Sequence, residues 1–342
     1  MKAIGYKTAG SIDAANALED IELDKPTATG RDILVKVSAI AVNPVDFKIR
    51  QNVSPTDDEF KVLGWDAVGE VVATGEETHL FNHGDKVYYA GDLTRPGSNA
   101  EYQLVDERLV AKKPASISDA EAAAMPLTSI TAWELLFERL AIPRSSNSKA
   151  TSPDVLLVVG ASGGVGSILI QYAKALTNAV VIATASRPST QKWVKELGAD
   201  FVIDHSQSLV EQINTLEIGP VTHVASLTHT NSYLEAYVDV LKPMGKIALI
   251  DDPETLDVKK LKAKSISLHW EFMFTRSMFS TDDMIVQHQL LTETAELIDQ
   301  GIIKSTLNQT MGSINAHNLR EAHRLLESGK AIGKIVLEGF DS

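Results

Sequence analysis

Apolar positions change period along this chain. In the first third they alternate or fall in short runs broken by glycine and proline. Residues 33–41 alternate up to a turn at Asn43-Pro44, residues 64–72 read as a glycine-punctuated strand, and residues 84–89 as another. Short strands of this kind predict a barrel or sandwich. After Pro114 the texture turns helical. Ser118-Asp119-Ala120-Glu121 supplies an N-cap and an acidic first turn, and a second helix is expected from Thr131 to about Leu140. The polar stretch 142–153 reads as a surface loop.

From Asp154 onward strands and helices alternate. Residues 155–159 form a continuous apolar run, as a parallel strand covered on both faces requires. Val165, Ile168, Leu169, Tyr172, Ala173 and Leu176 then follow at helical spacing. Further strands are expected at 180–184, 200–203, 221–226 and 246–250, which predicts a doubly wound parallel α/β sheet. A strand-like segment at 265–275, a helix around 282–299, a helix at 318–326 and a strand at 334–338 close the chain.

Composition narrows the function classes. The 342 residues are 44% hydrophobic and 23% charged, an ordinary globular balance whose length suits two domains. A net charge of −13 without a basic run repels polyanions, so neither nucleic acid nor an anionic membrane is an expected partner. The absence of cysteine excludes disulfides, thiolate metal ligands and thiol nucleophiles together. No apolar run approaches the ~20 residues of a membrane helix, and the first ten residues lack the apolar core of a signal peptide. The cytoplasm is the expected location.

The richest stretch is Val158-Val159-Gly160-Ala161-Ser162-Gly163-Gly164-Val165-Gly166, at the end of a buried strand and the start of a helix. Backbone can approach a pyrophosphate closely at Gly163, Gly166 lets the helix pack on the strand, and the N–H groups of the helix start receive phosphate. The usual fingerprint has glycine where Ala161 stands, so the match is imperfect. Cofactor choice is set at the end of the next strand, where an acidic residue bonds the ribose of NAD and repels the extra phosphate of NADP. Here Ser186-Arg187 follows instead, which favours NADP(H) over NAD: a hydroxyl and a planar guanidinium both suit phosphate.

With these features the chain resembles the medium-chain dehydrogenases/reductases, and within them the zinc-free quinone oxidoreductase branch with its zinc-type alcohol dehydrogenase-like members. The likeness is carried by residues 43–50 (NPVDFKIR), 64–69 (GWDAVG), the turn at 163–166 and residues 329–334 (GKAIGK). It implies a GroES-like catalytic domain of residues 1–120 and 305–342 around a Rossmann domain of 121–304. Positions where zinc-dependent members hold the catalytic metal carry Asn43, Trp65 and Leu127, so no metal site is expected. The pair His79 and His83 lies in a polar, turn-like stretch, where solvated histidines are the ordinary case.

Without a metal to stabilise an alkoxide, the expected chemistry is hydride addition to a quinone or an α,β-unsaturated carbonyl, whose electron sink is built in. Reduction of aldehydes or ketones, or a non-catalytic crystallin-like role, are the rival readings. The resemblance implies Lys48 as the donor that polarises the substrate carbonyl, with Asn43 as the alternative and Asp46 orienting either. It also implies that Thr131, Leu227 and Ile250 line the nicotinamide end, alongside Ser162, Gly163, Gly164, Val165 and Gly166 at the pyrophosphate. Gly333 and Lys334 are expected at the cofactor phosphate, with a surface charge the plainer reading of Lys334. Related proteins pair through the edge near Trp270, so a homodimer is expected.

Overall fold

The computed structural model describes residues 1–56, 59–145 and 153–341, so most of the polar stretch expected as a loop at 142–153 lies outside the described residues. In chain order come β1 (Lys2–Tyr6), β2 (Glu19–Glu22), β3 (Asp32–Val42), α1 (Pro44–Asn52), β4 (Lys61–Val62), β5 (Ala67–Thr74), β6 (Lys86–Tyr89), β7 (Tyr102–Asp106) and β8 (Val110–Lys112). Helices α2 (Asp119–Ala123) and α3 (Pro126–Trp133) follow, the latter running into a π-helical stretch, Glu134–Arg139. The α/β region comprises β9 (Val155–Val159), α4 (Gly164–Leu176), β10 (Val180–Thr184), α5 (Pro188–Glu196), β11 (Phe201–Ile203), α6 (Leu209–Asn214), β12 (Val221–Ser226), α7 (Thr230–Val240), β13 (Leu241–Leu249) and β14 (Ser267–Trp270). The chain ends with α8 (Thr275–Met278), α9 (Val286–Asp299), β15 (Leu307–Thr310), α10 (Ala316–Glu327) and β16 (Lys334–Glu338).

Two compact units result, Met1–Ile130 with Phe274–Ser342, and Thr131–Met273. The first holds a seven-stranded sheet in the order β15-β16-β3-β5-β6-β8, with β7 also paired to β3. The tail strand β16 runs antiparallel to β3, Ile335 opposite Val42 and Leu337 opposite Ile40, so the C-terminus completes the first sheet. Helix α9 belongs here too, and the units therefore divide at 130 and 273 rather than at the expected 120 and 304. The reason is bonding across the segment: the Tyr88 hydroxyl donates to the Leu291 carbonyl, and His288 Nδ1 lies 2.6 Å from the Val110 carbonyl.

The second unit is a six-stranded, all-parallel sheet in the order β11-β10-β9-β12-β13-β14. Its middle strands are buried throughout, with Leu157, Val159, Ile182, Val224 and Ile247 in one apolar cluster. Strand order reverses between β9 and β12, and that reversal opens a crevice at the carboxyl ends of the strands, where open α/β sheets bind ligands.

Four local expectations change. Asn43-Pro44 is not a simple turn: Asn43 caps α1 and Pro44 opens it, a position where proline has no intrahelical N–H to lose. The same rule moves the start of the second helix back from Thr131 to Pro126. Within 265–275 only Ser267–Trp270 is strand, and α9 begins at Val286 rather than near 282.

Candidate functional site

The glycine-rich turn leaves β9 at the switch point of the parallel sheet. Gly160 has φ +81°, and a β-carbon there would meet Thr228 Cγ2 at 3.0 Å, so the backbone turns tightly beside the chain leaving β12. At Gly166 a β-carbon would lie 2.4 Å from the Ala161 carbonyl oxygen, which fixes how closely α4 packs on the turn. Gly163 differs. A β-carbon there would have only the Gly160 oxygen near it, at 3.6 Å, so it would project into the space in front of the turn. Ser162, Gly163, Gly164 and Val165 are half-buried and open to that space. The first amides of α4 have no partner inside the helix and carry the positive end of its dipole. The turn thus fits the pyrophosphate of a dinucleotide.

The neighbouring strand ends converge on the same edge of the sheet. Half-buried Ser186 and exposed Arg187 follow β10, with Arg187 as the N-cap residue of α5. Half-buried Leu227 and Ile250 follow β12 and β13, tied back by Leu227 N–H to Val159 O (3.0 Å) and Ile250 N–H to Ser226 O (3.3 Å). Behind them the Asp251 carboxylate accepts from the Thr230 amide (2.8 Å) and hydroxyl (2.5 Å), while the Ser226 hydroxyl lies 2.7 Å from that of Thr230 and 2.8 Å from that of Tyr237. These bonds hold the loops after β12 and β13 in register. Thr131 is buried on α3, 5% exposed.

The other unit contains a buried polar cluster. Lys334, 3% exposed, donates to Asp66 Oδ2 at 2.7 Å and to Asn43 Oδ1. Asn43 Nδ2 donates to Asp66 Oδ2 at 2.8 Å, and the Leu127 amide to Asp66 Oδ1 at 2.8 Å. Asp46 Oδ2 accepts the Asn43 amide at 2.7 Å, capping α1 from within. Burial pushes the Asp46 carboxyl up to about 7, against the pull of the Asn43 N–H and the Lys334 ammonium. Asp66 is raised as well, again by burial, with Lys334 opposing. Trp65 is buried alongside, its indole N–H on the Asp92 carbonyl at 3.1 Å.

Comparison with known proteins bears on both units. A family model described as an alcohol dehydrogenase GroES-like domain matches residues 29–115, and one described as a zinc-binding dehydrogenase matches 197–337. A zinc-type alcohol dehydrogenase-like protein of Staphylococcus epidermidis is 40% identical over 98% of this chain and 99% of its own. The chain belongs to the medium-chain dehydrogenase/reductase superfamily of oxidoreductases. A 2-methylene-furan-3-one reductase of Solanum lycopersicum is 36% identical over 98% of this chain and 79% of its own. A crystal structure from Rhizobium etli, titled a putative zinc-dependent alcohol dehydrogenase, is 49% identical with a TM-score of 0.96, covering 100% of this chain and 99% of that one.

The superfamily names imply zinc, and the residues here do not fit it. An amide, an indole and an aliphatic chain stand at 43, 65 and 127: the Asn43 amide oxygen already accepts from an ammonium, the Trp65 indole N–H is on the Asp92 carbonyl, and Leu127 reaches Asp66 only through its backbone N–H. Among the described residues no group of three or more histidine, aspartate or glutamate side chains is arranged to hold a metal. Positive charge next to Asp46 and Asp66 comes from Lys334 instead.

The same geometry revises several expected roles. Lys334 is neither a surface charge nor open to a cofactor phosphate, because its ammonium is spent inside the protein; Gly333, in the left-handed region at φ +54°, only leads into it. Asn43 cannot offer its amide to a substrate, since Nδ2 serves Asp66 and the residue is 1% exposed. Asp46 does not orient Lys48. The two are two residues apart on α1, on different faces, Asp46 buried and Lys48 exposed. The sequence reading gave Asp66 no role. Its signal was a lone acid, as Lys334 is a lone base, at the mouth of an apolar strand, where an unpaired charge is too costly to bury.

Proposed function

We propose that this protein is an NADPH-dependent, zinc-independent reductase of quinones or α,β-unsaturated carbonyl compounds. The observation that carries the reading is the cluster just described, an internal ammonium–carboxylate assembly that bonds Asn43 and the Leu127 amide, two of the three positions where the resemblance puts metal ligands. A chain so built lacks a Lewis acid for simple alcohol chemistry and suits a substrate with its own electron sink. The tomato relative's name points the same way, toward a carbon–carbon double bond conjugated to a ketone.

Bound reduced nicotinamide would supply the hydride. The chain's part is to hold and orient: the turn at Ser162–Val165 takes the pyrophosphate, Ser186 and Arg187 the ribose phosphate, and Thr131, Leu227 and Ile250 the nicotinamide end. Of the candidate electrophiles, Asn43 is committed internally and Lys48 is exposed on α1. Lys48 is therefore the donor assigned to the carbonyl oxygen, where charge builds as the enolate forms and a cation binds the transition state better than the substrate. Exposed Trp270 (55%) and Phe272 (46%) at the β14 edge support a homodimer through that strand.

An NADPH-consumption screen over quinones, enones, enals and simple aldehydes, with identification of the reduced bond, tests the reaction. Turnover confined to simple aldehydes would move the assignment to carbonyl reduction. Lys48→Met should lower kcat/KM by about 10²–10³, the effect of losing one oxyanion donor, with NADPH affinity unchanged. Arg187→Ala should weaken NADPH by roughly 1.5–3 kcal/mol, the range for hydrogen bonds to charged groups, and leave NADH unaffected. Equal affinity of the unaltered protein for the two cofactors would remove the NADPH assignment.

A further inference from the structure

One side chain of α5 reaches across to α4. The Trp193 indole N–H donates to Ser167 Oγ at 2.8 Å. Ser167 is fully buried in the first turns of α4, and its own hydroxyl donates to the Gly163 carbonyl at 2.7 Å, beside the Ser167 amide at 2.9 Å. The acceptor is the N-cap residue of α4, in the turn that faces the pyrophosphate space. At its other end α5 starts on Arg187, whose carbonyl takes the Gln191 amide (2.9 Å) and the Thr190 hydroxyl (2.9 Å), while the Gln191 side chain bonds the Ala185 carbonyl (3.2 Å). A bonded chain thus runs from Gly163 through Ser167 and Trp193 along α5 to Ser186 and Arg187.

We propose that Trp193 is a positioning residue for cofactor choice: through Ser167 it fixes where the helix start bearing Arg187 stands relative to the pyrophosphate turn. The inference rests on the reading of Arg187 as the ribose-phosphate partner. NADPH must meet both helix starts at once, and its pyrophosphate and ribose phosphate are joined through a single ribose, which limits their separation, so the register between α4 and α5 enters its affinity directly. NADH has no ribose phosphate to present to the start of α5. A loosened α5 therefore costs the phosphorylated cofactor selectively. Helix packing by the indole ring is a separate contribution. Trp193→Phe keeps the ring and removes only the N–H, while Ser167→Ala removes the anchor and also one bond on the turn.

Cofactor titration followed by the emission of the reduced nicotinamide itself avoids reliance on the lost tryptophan. Trp193→Phe should raise the Kd for NADPH about fivefold, the effect of one ordinary hydrogen bond, and leave that for NADH within twofold. Ser167→Ala should weaken both cofactors. In an Arg187→Ala background the Trp193→Phe effect on NADPH should vanish, because coupled residues are non-additive. Two results overturn the proposal: an unchanged NADPH-to-NADH ratio in Trp193→Phe, or an equal effect with and without Arg187. If the unaltered protein shows no NADPH preference, it is the Arg187 assignment that fails first and takes this one with it. A preference that Trp193→Phe leaves intact removes the positioning role alone.

Discussion

Replacing Lys334 by methionine distinguishes a buried strut from a cofactor ligand. The substitution keeps most of the stem volume and deletes the ammonium that Asp66 meets at 2.7 Å and that Asn43 Oδ1 accepts. Asp66 is 0% exposed, so without its cation it must take up a proton to stay folded. An unfolded aspartate has a pKa near 3.9, and binding a proton at pH 7 costs about 1.4 kcal/mol per unit of difference, up to ~4 kcal/mol here. The hydrogen bond lost by Asn43 adds about 1 kcal/mol. The total agrees with the 3–5 kcal/mol typical of a broken buried ion pair.

The sign of the pH dependence follows. In the variant Asp66 is raised further above its unfolded value, so its contribution is unburdened below about pH 4 and worsens as pH rises. At pH 5 the protonation part of the penalty falls to ~1.5 kcal/mol by the same arithmetic. Urea unfolding followed by circular dichroism at pH 5 and 7, with NADPH titration of the folded variant, makes the comparison. Asp66→Asn added to Lys334→Met should recover most of the loss at pH 7. A variant as stable as the parent at pH 7, with NADPH weakened tenfold, would refute the strut and return Lys334 to the cofactor phosphate.

Two further outcomes are expected. Asp46 is raised to about 7 mainly by burial, so in the folded protein its burden grows from about pH 4 to above pH 7; Asp46→Asn should gain stability relative to the parent as pH is taken from 5 to 8, by a few kcal/mol. Parallel denaturation curves at both pH values would contradict this. Gly166→Ala gains about 1 kcal/mol of helix propensity, but its β-carbon would stand 2.4 Å from the Ala161 oxygen and 2.6 Å from its carbonyl carbon. Both atoms are backbone, so overpacking at 1–3 kcal/mol or more should prevail, visible as a lower Tm together with weaker NADPH binding.

What the sequence made legible and what it hid divide along a physical line. The strands at 155–159 and 180–184 were readable to the residue because continuous burial on both faces leaves nearly unbroken apolar runs, and those at 221–226 and 334–338 match their expected bounds with Thr222, His223 and Lys334 among their buried residues. The close packing at the glycine turn was readable for a related reason: the Ala161 oxygen lies 2.4 Å from where a Gly166 β-carbon would stand, which leaves no room for a side chain, and that is written in the residue itself. Ser186 and Arg187 needed only the end of β10 to be placed. All of these are local.

The polar cluster is not local. Lys334 and Asn43 are 291 positions apart and meet only because β16 pairs with β3 in the register that sets Ile335 against Val42. No periodicity encodes that register, and motif position alone suggested that Asn43 and Lys334 face ligands. Burial decides otherwise, and electrostatics explains why. Asp46 is needed to cap α1, and Asp66 gathers the Leu127 amide and the Asn43 side chain, so two carboxylates come to lie in an apolar interior. A nearby positive charge reduces the penalty of holding both there. Lys334 supplies that charge, and it is accordingly as deeply buried as the acids it serves. An internal cation held at 3% exposure by two partners cannot also be a phosphate ligand. Whether the proposed carbonyl-polarising charge sits on the exposed face of α1, at Lys48, is what the kinetics of Lys48→Met decide.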